Sequence, residues 1–269
     1  MNTSNPLRLV LVAAALSGLL AIEPALSQTR QTPPPGARSP LSPPETNRDH
    51  AEAFKRGYEA YYRGEYERAA SIWTQLADQG HAKSMNNLGT MYVQGKGVDR
   101  NYSLALVYYR RAAEQNDARA AYNIGLAYEN GRGVVKDDVT AVTWYRRAAD
   151  RGLTEAMSSM AWVLATSPNG RVRNGSEALR WAQVAQQREN SAKHLAVMAA
   201  AHAELGAYSS AIMSIEQAIA LKQREVDGAG LVRSGRDDTG LLRNAGGIDS
   251  LPTLRARLDA YRKGQPTRD

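Results

Sequence analysis

The residue types that most often do chemistry are sparse and poorly placed in this chain. Cysteine is absent, which removes disulfides, thiolate metal sites, thiol nucleophiles and a lipidated anchor cysteine. The histidines are His50, His81, His194 and His202. His194 and His202 lie eight residues apart, too far for the four-residue pair that holds a metal on one helical face, so packing or surface roles fit them better. Asp137-Asp138 suggests a cation site, but a calcium loop needs many more oxygen ligands in register, and helix capping fits the pair better. Gly95-x-Gly97 and Gly131-x-Gly133 follow helical patterns rather than strands and lack the third glycine of a nucleotide loop. No Gly-x-Ser-x-Gly occurs, and no serine lies near a plausible His–Asp pair. No catalytic, cofactor-binding or metal-ligating residue is therefore assigned.

The remaining candidates are binding residues, and a repeat positions them. Asn87-Leu88-Gly89 reappears as Asn123-Ile124-Gly125, 36 residues later. The same offset relates Tyr92 to Tyr128, Gly95 to Gly131, Gly97 to Gly133 and Ala105 to Ala141. It also relates Tyr108-Tyr109-Arg110-Arg111-Ala112-Ala113 to Trp144-Tyr145-Arg146-Arg147-Ala148-Ala149. Such a period signals stacked helical hairpins. In the first helix Leu88, Gly89 and Tyr92 recur at helical spacing, with Gly allowing close helix approach. In the second, Ala105, Tyr108 and Ala112 form one stripe. The intervening glycines turn the chain. Neither hairpin buries its stripe alone, so neighbours stack.

The pattern Asn-Leu-Gly-x-x-Tyr-x-x-Gly-x-Gly-Val followed by Ala-x-x-Tyr-Tyr-Arg-Arg-Ala-Ala resembles the Sel-like repeat, a relative of the tetratricopeptide repeat with a longer inter-helix loop. Residues 81–116 and 117–152 carry it strongly. Gly64, Tyr66 and Ala69 share their spacing with Gly206, Tyr208 and Ala211, and both sets resemble the short-loop tetratricopeptide pattern. Between them, residues 153–190 keep Ala161, Ala178, Trp181 and Ala185, while the loop Ser167-Pro168-Asn169-Gly170 has lost the paired glycines. The resemblance implies an all-α, right-handed solenoid of about five hairpins over residues 49–226. A Gly-rich loop at 227–250 and a capping helix at 251–264 are expected to follow. In that helix Leu251, Leu254, Leu258 and Tyr261 share a face, with Ser250 as its cap and Gly264 as its end.

By the geometry of such repeats, the first helix of each hairpin lines the concave face. With Gly89 and Gly125 as close-packing positions, Lys83, Asn86, Thr90, Arg119, Tyr122, Leu126 and Glu129 are expected to point outward and bind a partner. Tyr122 and Leu126 have two readings: a seat for an apolar anchor of the partner, or contacts to the neighbouring hairpin. Arg110, Arg111, Arg146 and Arg147 also have two: a basic ladder for an anionic polysaccharide or lipid, or a solvated helix face.

The termini and composition bound the setting. Leu9–Ile22 is an uncharged, mostly apolar run of 14 residues, followed by Pro24 and Ala25-Leu26-Ser27. This is a signal-peptide pattern over residues 1–27, with cleavage before Gln28. An uncleaved anchor is the alternative. Six of the eleven prolines fall between Pro33 and Pro44, so residues 28–48 read as a linker without a core, with an adaptor ligand as the less plain reading. A net charge of +7 favours acidic partners. No aromatic-flanked basic groove suggests nucleic acid. The expected function is a non-enzymatic, cofactor-free protein-interaction scaffold or regulator of a bacterial envelope, periplasmic or secreted. The resemblance to Sel-like repeat proteins implies a protein partner, for instance a membrane sensor.

Overall fold

The computed structural model describes residues 47–229 and 248–268, which belong to the unit Pro43–Asp269. The expected signal peptide, nearly all of the proline-rich linker and the centre of the Gly-rich loop lie outside the described residues. The helices, in chain order, are α1 (Asn47–Tyr62), α2 (Tyr66–Asp78), α3 (Ala82–Gln94), α4 (Tyr102–Glu114), α5 (Ala118–Asn130) and α6 (Asp138–Ala149). They continue with α7 (Thr154–Thr166), α8 (Gly175–Arg188), α9 (Ala192–Glu204), α10 (Tyr208–Ala229) and α11 (Leu251–Arg262). α1 to α10 pair into five antiparallel hairpins, each packed on the next, and α11 lies against α10. No strand occurs among the described residues. α10 extends to Ala229, so the loop expected from residue 227 starts later.

Helix starts follow from side chains that satisfy orphan amide groups. The Leu104 N–H donates to the side chain of Asn101, Ala120 to Asp117, Glu177 to Asn174, and Thr253 to Ser250. Asp137 accepts from the Val139 N–H at the start of α6, so this acidic residue caps a helix. Three hairpins close by one shared backbone bond: Asn101 N–H to Tyr92 O, Asp137 N–H to Tyr128 O, and Asn174 N–H to Leu164 O, at 2.9, 3.0 and 2.8 Å. The fourth loop reaches this closure without paired glycines. There Arg173 donates to the carbonyls of Ser167 and Pro168.

Two glycine positions explain the tight stacking. Gly89 and Gly125 face Tyr109 and Tyr145, and a Cβ there would lie 2.7 and 2.5 Å from a ring atom. Each ring thus fills the space that a missing side chain leaves, and Tyr109 and Tyr145 are 1% and 0% exposed. In the loops, Gly97 and Gly133 have φ of +66° and +73°. A Cβ on either would also strike the backbone of Tyr66 or Tyr102, each the first residue of a second helix one hairpin upstream. These glycines are needed both for the turn and for contact between hairpins.

The core is nearly continuous. One cluster runs from Ala60 to Ala201, and a second joins Leu195, Ala199, Ile215, Leu254 and Tyr261 across α9, α10 and α11. α7 has no solvated face: Ala156 to Thr166 are all buried, as suits a helix enclosed by α6, α8 and α9.

Candidate functional site

The first helices of three successive hairpins share one face, which holds a cavity of about 460 Å³. Phe54 and Tyr58 of α1 line one side, Lys83, Asn86 and Asn87 of α3 the middle, and Arg119 of α5 with Arg151 the other side. Lys83 and Arg119 are exposed and form no hydrogen bond or ion pair with another described residue. Arg151 donates to the Arg147 carbonyl at 3.1 Å and to the Asn116 side chain. Asp117 is the lining carboxylate, and it is occupied in capping α5, accepting from the Ala120 N–H at 2.8 Å. The Asn87 Nδ2 is buried beside this cavity without a hydrogen-bond partner. Two cations thus stand open to an anion on a face that also offers aromatic surface.

Of the seven residues expected to point outward, Lys83, Asn86 and Arg119 line this cavity. The outward orientation needs correction for five. Asn86 and Thr90 are each 6% exposed, Tyr122 and Leu126 each 5%. Asn86 accepts from the Asn123 side chain at 2.9 Å, bridging α3 to α5. Tyr122 repeats that bridge one hairpin later, its hydroxyl 3.3 Å from Ser159 Oγ on α7. Thr90 donates to the Asn86 carbonyl and lies 3.2 Å from the Tyr109 hydroxyl. Glu129 accepts a hydrogen bond from the Tyr145 hydroxyl, and burial pushes its carboxyl upward. The physical reason is that side chains flanking the glycines reach across to the next first helix, as Asn86 does to Asn123 and Tyr122 to Ser159, and so become contacts between hairpins. Of the two readings of Tyr122, the structure shows the contact with the neighbouring hairpin.

The four arginines are engaged in the fold. Arg111 and Arg147 donate to the carbonyls of Ala77 and Ala113, each at the end of the second helix one hairpin upstream. Arg146 pairs with Glu177 at 2.6 Å, and Arg110 donates to the Tyr128 hydroxyl at 3.2 Å. They do not form a ladder of free cations. His194 is 3% exposed and its Nδ1 lies 2.8 Å from the Glu189 carbonyl, a local contact within the fold. Among the described residues no group of three or more His, Asp or Glu is arranged to hold a metal. Among them, too, no helix is long and apolar enough to cross a membrane.

Sequence reasoning missed Phe54, Tyr58, Asn87 and Arg151 as lining residues. Asn87 had a signal: it is the repeat equivalent of Asn123, a polar residue recurring beside the close-packing glycine.

A model of the Sel1 repeat matches residues 82–117, 118–153 and 154–185. No curated protein matches the sequence. Among solved structures, the chain is similar to a Sel1 repeat protein from Oxalobacter formigenes. That likeness has 26% identity and a TM-score of 0.52, and covers 78% of this chain and 83% of the other. It shares its fold with a protective antigen of uropathogenic Escherichia coli displaying an SLR fold. There the identity is 21% and the TM-score 0.57, over 82% of this chain and 50% of the antigen. Sel1 repeats generally mediate protein–protein interaction. The middle of this chain is a run of three consecutive Sel1 repeats within an all-α solenoid.

Proposed function

We propose that the chain is an exported, non-enzymatic scaffold or regulator of a bacterial cell envelope that binds a protein partner on the face of its first helices. The observation that carries this reading is the cavity across α1, α3 and α5, where Lys83 and Arg119 stand without internal partners. Arg111, Arg146, Arg147 and Arg173, by contrast, bond within the fold. Export rests on the apolar run Leu9–Ile22, Pro24 and Ala25-Leu26-Ser27. The alternative, an anionic polysaccharide or lipid on the arginine ladder, loses support because those arginines are occupied.

The test is position-specific photo-crosslinking in the source cell. A crosslinker at position 119 should trap a discrete protein adduct, and one at exposed Val107 on α4 should not. Equal adducts from both positions, or none from 119, would sink the reading. N-terminal sequencing of the mature protein should begin near Gln28, and an intact Met1 or Asn2 would refute cleavage.

A further inference from the structure

Lys83 and Arg119 are repeat equivalents, 36 residues apart, in the first turns of α3 and α5. They therefore occupy the same register on two adjacent first helices. Packed helices lie about 8–10 Å apart. An extended peptide advances about 3.3 Å per residue and alternates its side chains between two faces, so side chains two residues apart share a face and span about 7 Å, a gap that long Lys and Arg side chains can close. We propose that the cavity binds an extended acidic segment of a partner protein through two carboxylates two residues apart, one held by Lys83 and the other by Arg119. This deepens the binding reading above and rests on it.

Several observations favour this occupant. Both cations lack partners, and Lys83, Arg119 and Arg151 face Asp117 as the one lining carboxylate, so the cavity carries excess positive charge. Charge-assisted bonds from Lys and Arg to carboxylate are the strong ones available here. The next equivalent position, on α7, is Glu155, which repels a carboxylate and fixes the acidic pair over α3 and α5. Phe54 and Tyr58 border the cavity on α1 and offer apolar surface to a residue beside the pair. The chain's own segments are poor occupants. Residues 28–46 carry Arg30 and Arg38 against Glu45, and the whole chain is +7, so neither this tail nor a second copy complements the site.

The experiment titrates the full chain with a nine-residue Gly/Ser peptide carrying two Glu two residues apart and one Leu, followed by calorimetry. Its counterpart replaces both Glu by Gln. The Glu peptide should bind at least tenfold more tightly. Lys83→Gln with Arg119→Gln should remove that advantage. Arg132→Gln with Lys136→Gln takes away the same charge beyond the other end of α5 and should leave it intact. Melting curves should show both double variants folded. Equal binding of Glu and Gln peptides overturns the proposal; an adduct at position 119 would then still support a partner on this face. Equal losses in the two double variants, or no binding of the Glu peptide, also overturn it. So does phosphatidylglycerol vesicle binding that depends on Lys83 and Arg119 while the peptide fails, which makes the ligand a lipid surface.

Discussion

The guanidinium of Arg147, near the end of α6, donates to the carbonyl of Ala113 at the end of α4, one hairpin upstream. Arg111 repeats this with Ala77. Each arginine brings a positive charge to the negative end of a neighbouring helix and satisfies a carbonyl there. Both side chains also lie over an aromatic ring of their own helix, Trp144 and Tyr108. Arg147→Ala should destabilise the fold by about 1–2 kcal/mol. Arg147→Lys should recover part of that. Arg110→Ala, which loses one exposed bond to Tyr128, should cost under about 0.5 kcal/mol. Equal midpoints for Arg147→Ala and Arg110→Ala in denaturant unfolding would contradict the inter-hairpin role.

The loop glycines separate two costs. Gly95 has φ +68° and only ordinary contacts, so Gly95→Ala tests backbone strain alone. Gly97 adds the collision of a Cβ with the backbone of Tyr66, at 2.3 Å. Gly95→Ala should cost about 1 kcal/mol. Gly97→Ala should cost clearly more, about 2–4 kcal/mol, because two hairpins must move apart. Lys96→Ala is not a neutral control for the loop, since the Lys96 ammonium donates to the Tyr61 hydroxyl at 3.0 Å. Similar melting shifts for the two glycine variants would show that the loop does not hold the hairpins together.

Tyr122 is expected to affect stability before it affects binding. It is 5% exposed, with its ring 5.4 Å from that of Tyr145 and its hydroxyl near Ser159. Tyr122→Ala should cost about 3 kcal/mol or more. Tyr122→Phe should cost about 1 kcal/mol, the value of one buried hydrogen bond. A Tyr122→Ala variant of unchanged stability would place the ring outside the hairpin interface.

The repeat made the hairpins legible because an offset that relates Gly89 to Gly125 and Tyr109 to Tyr145 reports a physical pair: a missing side chain and the ring that fills its place. The binding face was legible only in part. Lys83 and Arg119 lie in the first turns of α3 and α5, away from the crossing of the first helices, and remain open. Asn86 and Tyr122, three residues on, meet Asn123 and Ser159 of the next hairpin. A one-dimensional repeat shows which residues are equivalent but not how tightly successive first helices pack. The arginines were ambiguous for the same reason, since their acceptors are carbonyls on a different hairpin.

His81 makes stability depend on pH. Its Nδ1 caps α3 by accepting from the Ser84 N–H, and its ring faces His50 at 5.9 Å and Phe54 at 4.8 Å. Burial, then the charges of His50 and Lys83, lower its pKa, with Asp117 acting in the opposite direction. A histidine lowered on folding leaves the unfolded chain binding more protons. Its stabilising contribution is therefore complete above about pH 6.5 and is lost as the pH falls below that value. His81→Asn keeps a capping side chain that does not titrate. The melting temperature of the parent should fall more steeply than that of His81→Asn between about pH 7 and pH 5. His202, also lowered by burial, is present in both and cancels in the difference. Parallel curves would exclude His81 as a source of the pH dependence.

α11 should be required by the last hairpin. Leu254 and Tyr261 are 0% and 1% exposed, and they cover Ile215 together with the half-buried Ile212 and Ile219 of α10. Arg257 reaches further back, its guanidinium 4.3 Å from the Trp162 ring centre on α7 and its Nη1 donating to the Ile248 carbonyl at 2.8 Å. The helix thus fastens onto hairpins four and five at once. A solenoid end that lacks such cover exposes an apolar face. Leu254→Ala should cost about 3 kcal/mol. It should also raise amide exchange across α9 and α10 while α3 to α6 stay protected, because each hairpin depends mainly on its neighbours. A chain ending at Asp249 should aggregate or lose protection over residues 193–225. Full solubility of that shortened chain, with unchanged exchange in α10, would show that the last hairpin stands without α11.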